Sequence, residues 1–572
     1  MELMDSRRLT GPNLVFEGPG ALLDVQFDAA DSGVVDLWRS EMERLREKLG
    51  WSQNQLLVLP RHEGAWLVAT GPIDQLYSII ELNELAWARA SRTQVSNRDA
   101  PAVNHDDASI LASELTKIKA LSVEEENPKL IALQRSAAKH NVTFLWDDDE
   151  VSLGLGNGSE TFEIDNIPDP DDLTWSRYHD IPLAAVTGTN GKSTNVRLIR
   201  QMVECWGKIP GNSSTDWIRV GNEILDTGDY SGPGGARAIL RDQRVEVGIL
   251  EVARGGLLRR GAGVSRVDVA LVTNVAEDHM GQYGINSVDD LIDAKLIVAQ
   301  LIDANGVLVL NADDEGLVRR GSDLLHKNIC WFSRNAQSDF ISDHIAGGGA
   351  ACVLVHNDIH YVSDGERTVV CSILDIPITL EGRAAYNVSN SLSAAAVGMA
   401  LGIPAGKVAA GLKSFSSDPE SNPGRGNYFD VNGITVLLDF AHNTHGLKAI
   451  LEATDALKAK RRLMIIGAAG DRLESEIRNL ARAAAGQGLD RILVTDCVGY
   501  ERDLGPGGVP KIIYDELLRC DEPPERIEVL DSEIKGVKAA FAWARPGDLL
   551  ILLIKSEREQ ALAEIRSRMS DS

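Results

Sequence analysis

The run Val186-Thr187-Gly188-Thr189-Asn190-Gly191-Lys192-Ser193-Thr194 holds the residue types that an oligophosphate needs. Gly188 and Gly191 let backbone N–H groups approach phosphate closely. Lys192 adds a point charge, and the Ser193 hydroxyl can hold Mg²⁺. The two glycines lie closer together than in the common Walker pattern, which narrows the choice among nucleotide-binding families. Such a loop needs a strand before it and a helix after it. Ile181 to Val186 is apolar throughout and reads as a buried strand. Val196, Leu198, Ile199, Met202 and Val203 recur at helical spacing within Asn195 to Trp206.

Five further apolar runs end in polar clusters. Val245 to Val252 carries Glu251, and Val267 to Val275 leads into Thr273-Asn274-Val275-Ala276-Glu277-Asp278-His279. Gly306 to Leu310 leads into Asn311-Ala312-Asp313-Asp314, and Ile434 to Phe440 into Asp439-Phe440-Ala441-His442-Asn443. Arg462 to Gly467 likewise precedes Gly470-Asp471-Arg472. Open α/β sheets bind ligands at the carboxyl ends of their strands, so these clusters share one candidate site. Glu251 there either completes an oxygen shell around Mg²⁺ with Ser193 or makes an ordinary salt bridge. His279 reads as a structural residue or a ligand. Lys295 follows it within a helix expected over Ser287 to Ile302.

The elements group into three regions, expected at 1–170, 171–417 and 418–572. The first carries helices near Val34 to Leu49 and Pro72 to Arg89, a polar acidic surface excursion within 98–127, and a linker from Ile164 to Trp175. In the second, strands alternate with helices, which predicts a mostly parallel sheet covered on both faces. Short alternating runs within Ile341 to Leu380 predict β-hairpins. A Gly/Pro/Asn cluster, Ser416 to Gly426, marks the second boundary and reads as a hinge. Beyond it the alternation resumes as a doubly wound sheet of about five strands.

Composition excludes several classes. The chain has 572 residues, 44% of them hydrophobic and 25% charged, which suits an ordinary globular protein of several domains. A net charge of −26 argues against nucleic acid and anionic membrane as partners. Six cysteines without a CxxC pair argue for reduced thiols and against a zinc ribbon. Without a long apolar run or a signal-peptide pattern at the start, a cytoplasmic location is expected.

Together these motifs resemble the Mur ligase superfamily, which includes peptidoglycan-precursor amino-acid ligases and folylpolyglutamate synthetase. The resemblance rests on Gly188 to Thr194, Glu251, the run 273–279, Lys295, Asn311 to Asp314, Pro423-Gly424-Arg425 and Asp439 to Asn443. Ser214-Thr215-Asp216-Trp217-Ile218, Gly228 to Pro233, Ile239-Leu240-Arg241-Asp242 and Glu251 to Gly256 are similar to the Mur-ligase half of the cyanophycin synthetase family. Arg7-Arg8-Leu9-Thr10-Gly11-Pro12-Asn13 is similar to that family's opening segment.

The resemblance implies a Mur-ligase-like P-loop central domain, a Rossmann-like C-terminal domain and a smaller α+β N-terminal domain. It implies an ATP-dependent, ADP-forming amide ligase that joins an amino acid or dipeptide to an acidic acyl acceptor through an acyl phosphate. Gly188, Thr189, Asn190, Gly191, Lys192, Ser193 and Thr194 would bind ATP, with Asn387 and Asn390 near adenine and Arg425 and Asp439 at phosphate and ribose. Two Mg²⁺ ions are implied: one on Ser193 and Glu251, the other on His279 and a carbamylated Lys295. Lys192, His279, Lys295 and Arg254 would serve catalysis. Arg254 and Arg237 read either as carboxylate clamps or as structural ion pairs. His442, Asn443, Asp471 and Arg472 are weaker candidates for the closing face or the incoming amine.

In one respect the chain departs from that family. Cyanophycin synthetase carries an ATP-grasp domain of a few hundred residues where Ala137 to Glu163 stand here. Asp147 to Gly158 reads as the stub of that domain's start. A homo-oligomer and a separate ATP-grasp enzyme are therefore the macromolecular partners to consider. The alternative functions are a catalytically reduced polymer-binding partner of such an enzyme and an unrelated P-loop ATPase or kinase.

Overall fold

Leu183–Thr187 is buried at every residue, as a strand covered on both faces must be. It lies in a computed structural model that describes residues 1–51, 54–99, 107–324 and 327–570. Among the described residues the strands form four sheets. Leu183–Thr187 pairs in parallel with Val247–Glu251 on one side and Val267–Val272 on the other, within a sheet of eleven strands. The parallel order runs Pro210–Ser213, Val247–Glu251, Leu183–Thr187, Val267–Val272, Ile302–Asn311, Ile329–Ser333, Ala350–Val355. Antiparallel strands extend both edges. Trp217–Val220 and Glu223–Thr227 do so on one, and the hairpin strands Asp358–Ser363 and Glu366–Ser372 on the other.

One face of this sheet packs on the helix Lys192–Trp206 through Val196, Ile199, Met202 and Val203. Val388 and Leu392 of the helix Ala385–Ala400 join the same cluster. The other face is covered by the helices Pro233–Leu240, Arg254–Arg260 and Val288–Lys295.

A second sheet has the order Asn427–Val431, Ile434–Asp439, Leu549–Leu553, Arg462–Ile466, Arg491–Thr495, Ile527–Leu530. It has six strands where about five were expected. The extra one, Asn427–Val431, is an antiparallel edge paired with Ile434–Asp439. Near the start, Glu2–Leu9, Gly20–Gln26, Gly64–Thr70 and Leu56–Arg61 form an antiparallel sheet. Leu9, Leu22, Trp66 and Val68 on that sheet bury against Leu258, Ile285, Leu291 and Ala294 of the central region. The contact is close: Thr10 N donates to Arg260 O at 2.8 Å, and Ala262 N to Pro12 O at 2.7 Å. A Cβ at Gly11 would lie 2.3 Å from Ala262 O.

Several expectations change. The helix expected over Pro72 to Arg89 spans Leu76–Asp99. Within 98–127 the chain is not a loose excursion but largely a helix, Asp107–Glu125, whose Leu111 and Ile118 face the N-terminal core. Residues 104–106 of the acidic run lie outside the described residues. The expected stub forms its own three-stranded sheet, Phe144–Trp146, Glu150–Leu153 and Glu160–Glu163. The expected linker packs beside it, with Ile167 buried among Leu130, Leu133 and Val151 and with Leu173 and Trp175 packed against them. Asp339–Ala346 is a helix preceding the expected hairpins.

Candidate active site

The strand Leu183–Thr187 hands over to the helix Lys192–Trp206 through a loop held by its neighbours. Thr189 N donates to Asn274 O at 2.8 Å, and Asn190 N to Asn274 Oδ1 at 3.0 Å. Thr273 Oγ1 donates back to Asn190 O at 2.6 Å. These bonds explain why Val267–Val272 ends earlier than the apolar run suggested. Thr273 and Asn274 face the loop, and Val275 N turns to Asp314 Oδ2 at 2.7 Å. Both loop glycines are demanded by geometry. Gly188 has φ +145° and Gly191 φ +85°, and a Cβ would meet Thr273 Oγ1 at 1.8 Å or Asn390 Oδ1 at 2.3 Å.

Asn387 and Asn390 line the same cleft but also brace the loop. Asn195 Nδ2 donates to Gly191 O at 3.0 Å and to Asn390 Oδ1 at 3.2 Å, while Asn390 Nδ2 donates to Asn387 Oδ1 at 3.1 Å. Tyr386 is partly buried beside them, and its buried hydroxyl has no hydrogen-bond partner among the described residues.

Lys192 Nζ donates to the carbonyls of Gly188 and Thr189 at 3.1 and 3.0 Å. Lys295 Nζ donates to Gly188 O at 2.8 Å, so two lysines converge on one turn. Burial, reinforced by the Lys192 charge, holds the Lys295 amine well below its ordinary value. The α-helix that bears it ends at Lys295 itself. Residues 296–301 tighten to 3₁₀ before the strand Ile302–Asn311 begins, so the helix expected as far as Ile302 is shorter.

Opposite the loop, Glu251 ends its strand and is 2% exposed. Thr215 Oγ1 donates to Glu251 Oε1 at 2.6 Å and lies 3.4 Å from Ser193 Oγ. Ser193, Thr215 and Glu251 thus form a compact set of hard oxygens, the donor type that Mg²⁺ prefers. Residue type alone gave no sign that Thr215 would complete it.

His279 sits in a second cluster. Asp278, His279 and His442 place ligand atoms within 4.8 Å of one another, the third coming from the second doubly wound sheet. Arg472 ion-pairs with Asp278 and its Nη2 lies 3.1 Å from His279 Nε2. Burial and the Arg472 charge push His279 down to about 3, so its ring is neutral. His442, Arg472 and His279 hold Asp278 well below the carboxylate range although burial pushes the other way. His279 Nδ1 is buried without a partner among the described residues, and His279 itself adopts φ +54°. Arg254 Nη1 braces that backbone by donating to His279 O at 2.7 Å. Asp278 stands beside His279 in the sequence, yet its role as the hub of the cluster shows only in three dimensions. Arg237, one of the two clamp candidates, pairs with Asp147 Oδ2 at 3.0 Å and ties down the small sheet.

The second doubly wound sheet supplies the opposing wall. Asn190 and Asn443 exchange side-chain amide hydrogen bonds at 3.2 Å in both directions. Asp439 ends its strand and accepts from Gly426 N and Ala441 N, each at 2.7 Å. Burial lifts its carboxyl to about 6. Arg425 stacks over Phe440 at 5.1 Å and, like Asp439, lines the cleft. The cleft between the sheets encloses about 1880 Å³ and is lined by all the phosphate-loop, metal-candidate and nucleotide-candidate residues named above.

A glycine-bounded strand–turn–helix loop, facing an acidic strand end and covered by a second doubly wound sheet, defines an α/β protein with its candidate site at the carboxyl ends of its strands. Comparison with known families gives its kind. The Mur ligase middle domain matches residues 186–398, and the Mur ligase glutamate ligase domain matches residues 424–555. The chain belongs to the Mur ligase superfamily. It is 32% identical over 377 residues to the cyanophycin synthetase of Crocosphaera subtropica, an alignment covering 66% of this chain and 42% of that protein. The chain thus matches less than half the length of that relative. It is also 25% identical over 397 residues to the UDP-N-acetylmuramoyl-L-alanyl-D-glutamate–2,6-diaminopimelate ligase of Listeria monocytogenes, covering 66% of this chain and 74% of that ligase. Among solved structures, the folylpolyglutamate synthase of Mycobacterium tuberculosis, complexed with ADP and AMPPCP, shares the fold. Its TM-score is 0.50 at 14% identity, over 67% of this chain and 91% of that one. Among the described residues no helix is long and apolar enough to cross a membrane.

Proposed function

We propose that this chain is an ATP-dependent, ADP-forming carbon–nitrogen ligase that joins an amino acid or dipeptide to an acidic acyl acceptor. The observation that carries this reading is the cleft itself. It holds a phosphate loop with Lys192, the Ser193–Thr215–Glu251 oxygens and the Asp278–His279–His442 cluster within one open space. The names of the sequence relatives, cyanophycin synthetase and a diaminopimelate ligase, support the same reaction class. We take 1–170, 171–417 and 418–572 as its three units, the last two enclosing the nucleotide.

In the first step an acceptor carboxylate oxygen attacks the γ-phosphorus of ATP. The bond to the β-phosphate oxygen breaks, giving an acyl phosphate and ADP. In the second, the amine nitrogen attacks the acyl carbon, phosphate leaves, and the nitrogen loses its proton as the amide forms. Two anions meet in the first step, so fixed positive charge lowers its barrier. Lys192 and the backbone N–H groups of Gly191 to Thr194 cradle the oligophosphate. Arg425 and Asp439 meet the nucleotide from the facing wall, with Asn387 and Asn390 beneath it.

Ser193 and Glu251, both buried and joined by the partly buried Thr215, fit Mg²⁺, since all are hard-oxygen donors. Bound there, Mg²⁺ neutralises charge on the oligophosphate. Lys295 fits carbamylation. Its lowered amine is populated in the neutral form that takes up carbon dioxide with loss of one proton, and Lys192 and Arg254 favour the resulting negative charge. Carbamylated Lys295 and His279 would then hold a second ion near the acceptor.

The products test the reading. Purified protein with Mg-ATP, an acidic acceptor and an amino acid should release ADP and phosphate together in a coupled assay and by chromatography. Formation of AMP and pyrophosphate would contradict an acyl-phosphate route.

A further inference from the structure

Asp216 follows Thr215 in the turn between Pro210–Ser213 and Trp217–Val220, and its side chain is only 7% exposed. Three guanidiniums from three segments converge on it. Arg197, from the helix after the phosphate loop, ion-pairs with it directly. Arg558 Nη1, from the start of the last helix, donates to Asp216 Oδ1 at 2.8 Å. Arg425 Nη2 lies 3.9 Å from Asp216 Oδ2. The Nε atoms of Arg197, Arg425 and Arg558 are all buried without a hydrogen-bond partner among the described residues, and Arg558 Nε lies 3.8 Å from the exposed Glu559 carboxylate. One buried carboxylate therefore faces three cations, with only the exposed Glu559 also near Arg558, at a place where Asp216, Arg425 and Arg558 all line the cleft.

Arg558 reaches across because its own segment is fixed. The N–H groups of Lys555, Ser556 and Glu557 donate to the fully buried Glu533 carboxylate at 2.8, 2.8 and 2.9 Å. Arg558 Nη1 also donates to Pro423 O at 3.3 Å. Gly424 leaves room for its stem, since a Cβ there would lie 2.8 Å from Arg558 Cδ.

We propose that Asp216 is a positioning residue. It pins Arg558 and Arg425 against the central sheet, tying closure of the C-terminal wall to the neighbouring Thr215–Glu251–Ser193 oxygens. The excess positive charge gathered by this latch is matched by the oligophosphate of a nucleotide. That second half rests on the nucleotide-site reading above; the latch itself does not.

The test uses Arg558→Met, Arg558→Lys, Asp216→Asn and the double variant D216N/R558M in the full chain. ADP affinity is measured by calorimetry and the nucleotide-free shape by small-angle X-ray scattering. Removing one partner of a buried charge pair should weaken ADP about tenfold or more. The double variant should be no worse than the more affected single one, and Arg558→Lys should recover part of the loss. KM for ATP should rise while KM for the acceptor stays unchanged. The radius of gyration of the nucleotide-free Arg558→Met variant should exceed that of the parent. Losses that add in the double variant, or a scattering profile and ADP affinity equal to the parent's, would overturn the proposal. A parent that binds no ADP would defeat the nucleotide reading, while the scattering comparison would still decide the latch. If Asp216→Asn does not fold, the two Arg558 variants carry the test.

Discussion

Asp439 illustrates how one buried group sets a measurable profile. Its carboxylate takes two backbone N–H groups and sits under Arg425, yet burial dominates and lifts it to about 6. If a nucleotide hydroxyl donates to it, the ionised form binds better. ADP affinity should therefore rise with pH through about 6 and level off above, being about tenfold weaker at pH 5 than at pH 8. Asp439→Asn should bind weakly with no such limb; calorimetry across this range in parent and variant would show it, and a flat parent profile would contradict it. For folding the sign is reversed, because the folded value lies above the ordinary 3.8. That contribution is present below 3.8 and is lost as pH rises through about 6. His279 behaves differently: pushed down to about 3, it stays neutral across the same range and supplies no limb of its own.

At the level of elements, the phosphate loop is the part most tightly specified. Gly191 has φ +85° and would place a Cβ 2.3 Å from Asn390 Oδ1. Gly191→Ala should destabilise the fold by about 2–4 kcal/mol, from left-handed strain plus overpacking, and thermal or denaturant unfolding would measure it. A loss below about 0.5 kcal/mol would mean that the loop and the Asn387–Asn390 helix adjust freely.

Much of this was legible in the sequence because strand, turn and helix signals agreed locally. Leu183–Thr187 and Lys192–Trp206 appear where apolar runs and helical spacing place them. The helix Asp107–Glu125 was missed because acidic residues masked a sparse apolar face at Leu111, Leu115 and Ile118. Thr215, Asp278 and Asp216 were not legible as site residues. Each acquires its role from partners far away in the chain, such as Glu251, His442 and Arg558.

The whole molecule joins these parts through interfaces rather than tethers. The N-terminal sheet buries Leu9, Leu22 and Trp66 directly against the helix that ends in Lys295, so the first region buttresses the wall of the cleft. The second doubly wound sheet meets the loop Gly188 to Thr194 through Asn443, and Asp278 and His279 through Arg472. In the proposed two-step ligation, acceptor and nucleotide would meet in this cleft first and the amine would then enter beside the acyl phosphate. The most direct measurement incubates purified protein and Mg-ATP with amino acids, short Asp-containing peptides and their pairings, reading ADP release together with product mass. ADP release that depends on a particular pair, with the acceptor heavier by one amino-acid or dipeptide residue, is the predicted result. Nucleotide binding with no ADP release and no mass gain across the panel would contradict ligation and favour a polymer-binding role.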